Sequence, residues 1–148
     1  MEKSGDGCIY LRSHMLLDDY ENNLGSWLYH WAEHAPERCF VAEKDTNGDW
    51  QNLSYSQALR DAQAIGQSLL EQGLSIERPL MILSGNSLNF SRLQLGALLA
   101  AIPVVPVSPP YSLMSQDFDK LKHIVQLTTP GIVYAESEAP FARAMQNI

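Results

Sequence analysis

Three groups of residues in this sequence have types and spacings that could do chemistry. His30-Trp31-Ala32-Glu33-His34 matches the H-x-x-E-H pattern of one class of zinc peptidases. On a helix its two histidines share a face, and Glu33 stands beside them as a base. No third ligand is identifiable, and a hairpin pattern rather than a substrate-binding signature follows. An amphipathic helix with two histidines beside its tryptophans accounts for the same residues, and that reading is preferred. Ser84-Gly85-Asn86-Ser87 lies between an apolar run and a helical pattern. A strand-to-helix turn there can offer free backbone N–H groups to a phosphate. It lacks the repeated glycines of a dinucleotide loop and the Gly-Lys-Ser/Thr of a P-loop, so a tight turn with a helix cap is preferred. The loop can still face a ligand, because crevices form at strand C-terminal ends. Ser108, Ser112 and Ser115 precede His123, a nucleophile-and-base arrangement in principle. Loop serines beside prolines are more often turn formers and caps. No G-x-S-x-G elbow occurs. The residues themselves therefore assign no catalytic, no cofactor-binding and no metal-binding position.

The elements that would carry these groups follow from periodicity. Residues 1–23 read as irregular, with 9–12 as a short extended piece. Leu24, Trp27, Leu28, Trp31 and Ala35 follow helical spacing, and Pro36 stops that helix. Two tryptophans on one stripe predict substantial burial. Residues 39–44 and 50–55 read as a hairpin, with Asn47-Gly48 supplying the positive φ that hairpin loops need. Ser54 with Gln57 gives a capping box. The helix behind it presents Ala58, Leu59, Ala62, Ile65, Gly66, Leu69 and Leu70 on one face, and Gly73 closes it. Residues 80–83 form a continuous apolar run, as expected of a strand covered on both faces. Asn86 or Ser87 caps a helix to about 101, apolar nearly all round in its second half. Residues 104–107 are the next strand, with its prolines at the strand start and on an unpaired side. A helix is predicted over 115–127, with Met114, Phe118, Leu121, Ile124 and Val125 inward. Residues 132–135 are the third strand. Ser137 caps a last helix that tolerates Pro140 only in its first turn.

This is an α/β chain: an N-terminal helix, a β-hairpin, then β-α-β-α-β, a partial doubly wound layer. The last helix lacks a stop signal, so the chain reads as the front of a larger protein. An incomplete layer should leave a sheet edge and an apolar face uncovered, with self-association through that edge as the consequence.

Composition limits the function classes. The 148 residues are 45% hydrophobic and 18% charged, which is globular. A net charge of −7 with no Lys/Arg-rich run argues against nucleic acid as a partner. Cys8 and Cys39 have no metal spacing and fit reduced thiols. No secretory signal is visible, and the longest apolar stretch is too short for a bilayer. A cytoplasmic protein with no membrane partner is expected.

Leu53-Ser54-Tyr55-Ser56-Gln57-Ala58-Leu59 and the stretch from Gly96 to Ser112 resemble the N-terminal part of AMP-forming acyl-CoA synthetases, the adenylate-forming superfamily. The first stretch is similar to the superfamily's early L-[ST]-Y-x-x-L motif, with Ala58 displacing the usual leucine to Leu59. Finer features resemble the feruloyl-CoA synthase group: Ile9-Tyr10-Leu11-Arg12-Ser13, residues 30–38, Ile82-Leu83-Ser84-Gly85-Asn86, and Pro106-Val107-Ser108-Pro109-Pro110-Tyr111-Ser112-Leu113. The resemblance covers essentially the whole chain. It implies residues 24–148 as an incomplete N-terminal part of an AMP-binding domain, behind the irregular segment 1–23. It implies a full-length parent that joins a small aromatic carboxylic acid of the hydroxycinnamate type to coenzyme A, using ATP and magnesium and releasing AMP and pyrophosphate.

The departures are specific. The family's Ser/Thr/Gly-rich loop ending in Pro-Lys is absent from these residues, as are its ribose-binding aspartate and its C-terminal lysine. No site residue is carried over. Ala101 stands where the family usually has glycine. The expectation is a fragment inactive alone, with two alternatives: a non-catalytic interaction module or relic keeping the half-domain, and a fragment of another adenylate-forming ligase.

Overall fold

The computed structural model describes residues 2–148. Strands β1 (Glu2–Lys3) and β2 (Ile9–Tyr10) pair antiparallel. Residues 9–10 are extended as expected, and their partner strand carried no sequence signal. Helix α1 (Leu24–His34) starts at Asn23, whose side chain accepts a hydrogen bond from the Ser26 N–H at 3.0 Å.

The predicted tryptophan burial occurs only in part: Trp31 is half-buried, whereas Trp27 is exposed. Only Leu28 of α1 is buried, while Leu24 and Trp27 are 72% and 48% exposed. Leu28 alone reaches the cluster formed by Leu53, Ala58, Ala62 and Leu88. Trp31 lies on the flank, with Arg38 over its ring at 5.6 Å.

Strands β3 (Cys39–Lys44) and β4 (Trp50–Ser54) form the hairpin, with Gly48 at φ +89° in its loop. Asp45 fixes that loop by accepting from the Asn47 and Asp49 N–H groups at 2.9 and 3.0 Å. Helix α2 (Tyr55–Glu71) begins with both bonds of the capping box. The Gln57 N–H donates to Ser54 Oγ, and the Ser54 N–H donates to Gln57 Oε1. Ala58, Ala62, Gly66 and Leu69 are its buried face. Leu70, expected on that face, is exposed.

β5 (Leu80–Leu83) is fully buried. Helix α3 (Leu88–Leu99) follows, capped by Ser87 rather than Asn86. It packs closely on α2, and Arg92 pairs with Asp61 across the two at 2.8 Å. Leu98 of α3 is exposed, so the helix is not enclosed all round. β6 (Val104–Val107) lies parallel to β5 with Ile82 opposite Pro106. Helix α4 (Pro109–Leu113) was not expected; two prolines in its first turn pre-set its φ angles. The helix predicted from 115 starts later, as α5 (Asp119–Thr128). Ser115 accepts from the Phe118 N–H at 2.9 Å, and Phe118 takes φ 59°, which interrupts the helical path. Met114, expected inward, is 78% exposed, whereas Phe118 and Leu121 are buried.

β7 (Ile132–Ala135) pairs parallel with the other side of β5, and α6 (Glu138–Met145) completes the chain. Ser137 stands at the N-cap of α6, and Pro140 lies in the first turn. The central sheet has the order β6-β5-β7. One face packs Met81, Leu83 and Val107 against Phe118, Leu121, Phe141 and Ala144. The other packs Leu80 and Ile82 against Leu69, Leu74, Ala97 and Ile102. Both faces of β5 are thus covered by helices, and the expected bare apolar face shrinks to a cleft beside β7. Among the described residues no helix is long and apolar enough to cross a membrane.

Candidate functional site at the strand ends

The C-terminal ends of β5, β6 and β7 converge on one side of the sheet. The loop Ser84-Gly85-Asn86-Ser87 leaves β5, Ser108 leaves β6, and Glu136 leaves β7. The β3–β4 hairpin closes one flank. Between hairpin and α3 is a cleft of about 270 Å³, lined by Val41, Ala42, Glu43, Asn86, Leu88 and Phe90 among others.

Three backbone donors at this end of the sheet, those of Gly85, Leu88 and Phe90, are already engaged. Ser87 Oγ accepts from the Phe90 N–H at 3.1 Å. Glu43 reaches from β3, and its Oε2 accepts from the Leu88 N–H at 2.9 Å. Glu136 Oε2 accepts from the Gly85 N–H at 3.3 Å, and Ser84 Oγ donates to the Gly85 carbonyl at 2.8 Å. Helix N-termini favour anions through these N–H groups and the helix dipole. Here the chain's own carboxylates take that place. A phosphate would have to displace Glu43 and Glu136 and overcome their charge. Neither glutamate was singled out from sequence. Glu136 has a readable signal, because it directly follows a strand whose end opens on the crevice. Glu43 has none, since it meets Leu88 across 45 positions.

The other expected groups stay apart. Ser108 is the N-cap of α4 without a side-chain bond. Ser112 is buried and its Oγ has no partner. Ser115 Oγ accepts from Phe118 N–H and donates to Asp117 Oδ1 at 3.1 Å, so it forms the turn ahead of α5. His123 is exposed on α5 and lines a separate cleft with Tyr111, Asp119, Lys120 and Ile124. Among the described residues no hydrogen bond joins it to Ser108, Ser112 or Ser115. Asp117, at the edge of that region, is held below the usual carboxylate range by the Asp119 N–H and then by the Ser115 hydroxyl.

His30 and His34 stack with ring centroids 4.2 Å apart. His34 Nδ1 lies 2.8 Å from the His30 carbonyl, so it is used as a donor within the helix. Among the described residues no three His, Cys, Asp or Glu side chains group as a metal site.

The family model of AMP-binding enzymes matches residues 28–147. No curated protein matches the chain. Solved structures match with the same fold. The fatty acid AMP ligase of Legionella pneumophila superposes with a TM-score of 0.69 at 24% identity, over 78% of this chain and 20% of that one. A complex of VinN with 3-methylaspartate gives 0.71 at 20% identity, over 87% and 33%. McyG A-PCP with phenylalanyl-adenylate gives 0.68 at 20% identity, over 82% and 22%. The chain therefore spans between a fifth and a third of the length of these structures.

Proposed function

This chain belongs to the AMP-binding enzyme family, the adenylate-forming superfamily, and from that premise we propose that it serves a carboxylic acid–coenzyme A ligase of the feruloyl-CoA synthase type. The proposed reaction joins a hydroxycinnamate, ATP and coenzyme A into an acyl-CoA thioester, AMP and pyrophosphate, with magnesium as the metal. The observation that carries the ligase class is the family match over residues 28–147. The finer choice of acid is supported by the resemblance of residues 30–38 and 106–113 to the feruloyl group. The proposal assigns the reaction to the cytoplasm, where ATP and coenzyme A are supplied.

The crevice residues do not fit ATP, magnesium or coenzyme A as they stand. Glu43 and Glu136 occupy two of the backbone donors a phosphate would use, those of Leu88 and Gly85, and set their negative charge there. We propose that the 148 residues act as scaffold and make no product alone.

The test has two arms. Purified 148-residue chain with ferulate, ATP, magnesium and coenzyme A should yield no AMP, pyrophosphate or thioester; turnover would overturn the scaffold reading. A ligase that carries these residues together with the remaining parts of the family fold should prefer hydroxycinnamates over long-chain fatty acids and phenylalanine in kcat/KM. Preference for either rival would overturn the feruloyl assignment while leaving the family intact.

A further inference from the structure

The histidine pair of α1 takes no part in the proposed reaction. His30 and His34 stand four residues apart on the helix, so they share a face, and both are exposed. Their rings stack with centroids 4.2 Å apart and planes 20° apart. His34 Nδ1 must carry a proton, because its partner at 2.8 Å is the His30 carbonyl oxygen, which can only accept. In the neutral ring that leaves the lone pair on Nε2. One ring N–H held by a backbone carbonyl, with the other nitrogen free, is the arrangement that orients a metal-ligating histidine. Among the described residues no hydrogen bond engages the His30 ring. It meets Trp27 and Trp31 at near right angles, with centroids 6.0 and 5.0 Å away.

We propose that His30 and His34 form a two-histidine clamp for a divalent transition-metal ion that favours imidazole, Cu2+, Ni2+ or Zn2+, with water completing the coordination. An ion at about 2.0–2.1 Å from each nitrogen, on adjacent corners of its sphere, sets the two ring centroids about 4.5 Å apart. The observed 4.2 Å is already close to that. The planes must open from their stack for both lone pairs to meet, and the exposed His30 ring supplies the rotation. A peptidase centre needs a third protein ligand, which this pair lacks, so the clamp binds without hydrolysing. Every ligand atom lies on α1, so the clamp needs no other element. It also has a structural consequence. α1 buries a single residue, Leu28, against the body of the chain. An ion that binds only the helical form adds to that hold: at about a hundred times Kd it raises the folded-to-unfolded ratio about a hundredfold.

The 148-residue chain carrying Cys8→Ser and Cys39→Ser tests this, because the two exposed thiols would otherwise compete for the same metals. Cu2+ or Ni2+ in the clamp lies beside Trp27 and Trp31 and quenches their emission. Saturable quenching with one ion per chain is expected at about pH 7.5, where free imidazole is neutral. Cu2+ should bind tightest; Zn2+ should restore the emission by competition, and Mg2+ should not. His30→Ala and His34→Ala should each weaken binding roughly tenfold or more, whereas His14→Ala and His123→Ala should leave it unchanged. Saturating Zn2+ should raise Tm only where both His30 and His34 are present, and melts without metal show that each variant is folded. Absence of saturable quenching, binding that survives loss of either helix histidine, or binding lost with His14 or His123 would overturn the proposal.

Discussion

Replacing Gly96 by alanine sets two effects of opposite sign against each other. Alanine in a helix interior is favoured over glycine by about 0.8–1.0 kcal/mol. At Gly96, however, a Cβ would lie 2.5 Å from Ile65 Cγ2, 2.8 Å from Ile65 Cβ and 3.1 Å from the Ala62 carbonyl oxygen. Carbon atoms prefer about 3.5–4.0 Å, so the shortfall against Ile65 is about 1 Å. A rotamer change moves Cγ2 away but not Cβ, which is fixed to the α2 backbone. Relief therefore requires α3 to move off α2. The same seam is pinned from the other side, because a Cβ on Gly66 would meet the Gly96 carbonyl at 2.8 Å. Overpacking costs about 1–3 kcal/mol, and contact with backbone-anchored atoms puts this site in the upper part of that range. After the propensity gain, Gly96→Ala should lose about 1–2 kcal/mol. For a chain of this length that lowers Tm by roughly 2–8 °C. Urea titrations and thermal melts followed by circular dichroism measure it. In an Ile65→Ala background the same change should cost less by about 0.5–1 kcal/mol, because residues in contact couple. A neutral or stabilising Gly96→Ala, or an equal cost in both backgrounds, would refute the close-approach argument.

Ala101→Gly should act in the opposite direction. Helices α2 and α3 end in the same bond pattern: Gly73 N–H to Leu70 O and Leu74 N–H to Leu69 O in one, Ala101 N–H to Leu98 O and Ile102 N–H to Ala97 O in the other. Gly73 adopts its φ of +76° freely, whereas Ala101 is held at φ 55°. A left-handed non-glycine costs about 1–2 kcal/mol, and glycine's unfolded-state entropy returns about 0.4–1 kcal/mol, so a net gain of about 0.5–1 kcal/mol is expected. It should raise the urea midpoint at constant m, and an unchanged or lower midpoint counts against it. Acid should weaken the fold through Asp45 as well as Asp117. Asp45 is held below the usual carboxylate range by the Asp49 N–H first, with the Asn47 N–H and Gln51 side chain adding to it. With folded values depressed, the unfolded chain binds more protons. The contribution is complete above the ordinary carboxylate pKa of about 4 and is lost as pH falls through the lowered values. Urea midpoints should be flat from neutral pH down to about 5 and fall below about 4; Asp45→Asn should shrink that fall, and an unaltered acid slope would remove Asp45 from the account.

What was legible in the sequence is what local bonds decide. Asn47-Gly48 fixed the hairpin loop, Ser54 with Gln57 fixed the start of α2, and the apolar runs at 80–83, 104–107 and 132–135 marked the three strands. Each signal is complete within a few residues. The segment from Ser108 to Phe118 was misread because prolines and serines serve both loops and first helical turns. Pro109 and Pro110 open α4, and Ser115 with a left-handed Phe118 postpones α5 to Asp119. The tryptophan stripe of α1 was misread for another reason. Periodicity says which residues share a face but not how much of that face meets a neighbour. Only Leu28 meets one closely enough to be buried.

The contacts that no local signal announces also set the character of the crevice. Glu43 spans from the hairpin to the first amide of α3, and Glu136 spans from the end of β7 to the loop after β5. These bonds tie three separate pieces of chain together at the strand ends, where a ligand would otherwise find free donors. The demanding positions elsewhere, Gly66 and Gly96 at the α2–α3 seam, serve packing. The engaged N–H groups of Gly85, Leu88 and Phe90, and the glycines spent on helix approach, are what support the proposed scaffold reading. The chain's family membership therefore informs the reaction more than its local chemistry does.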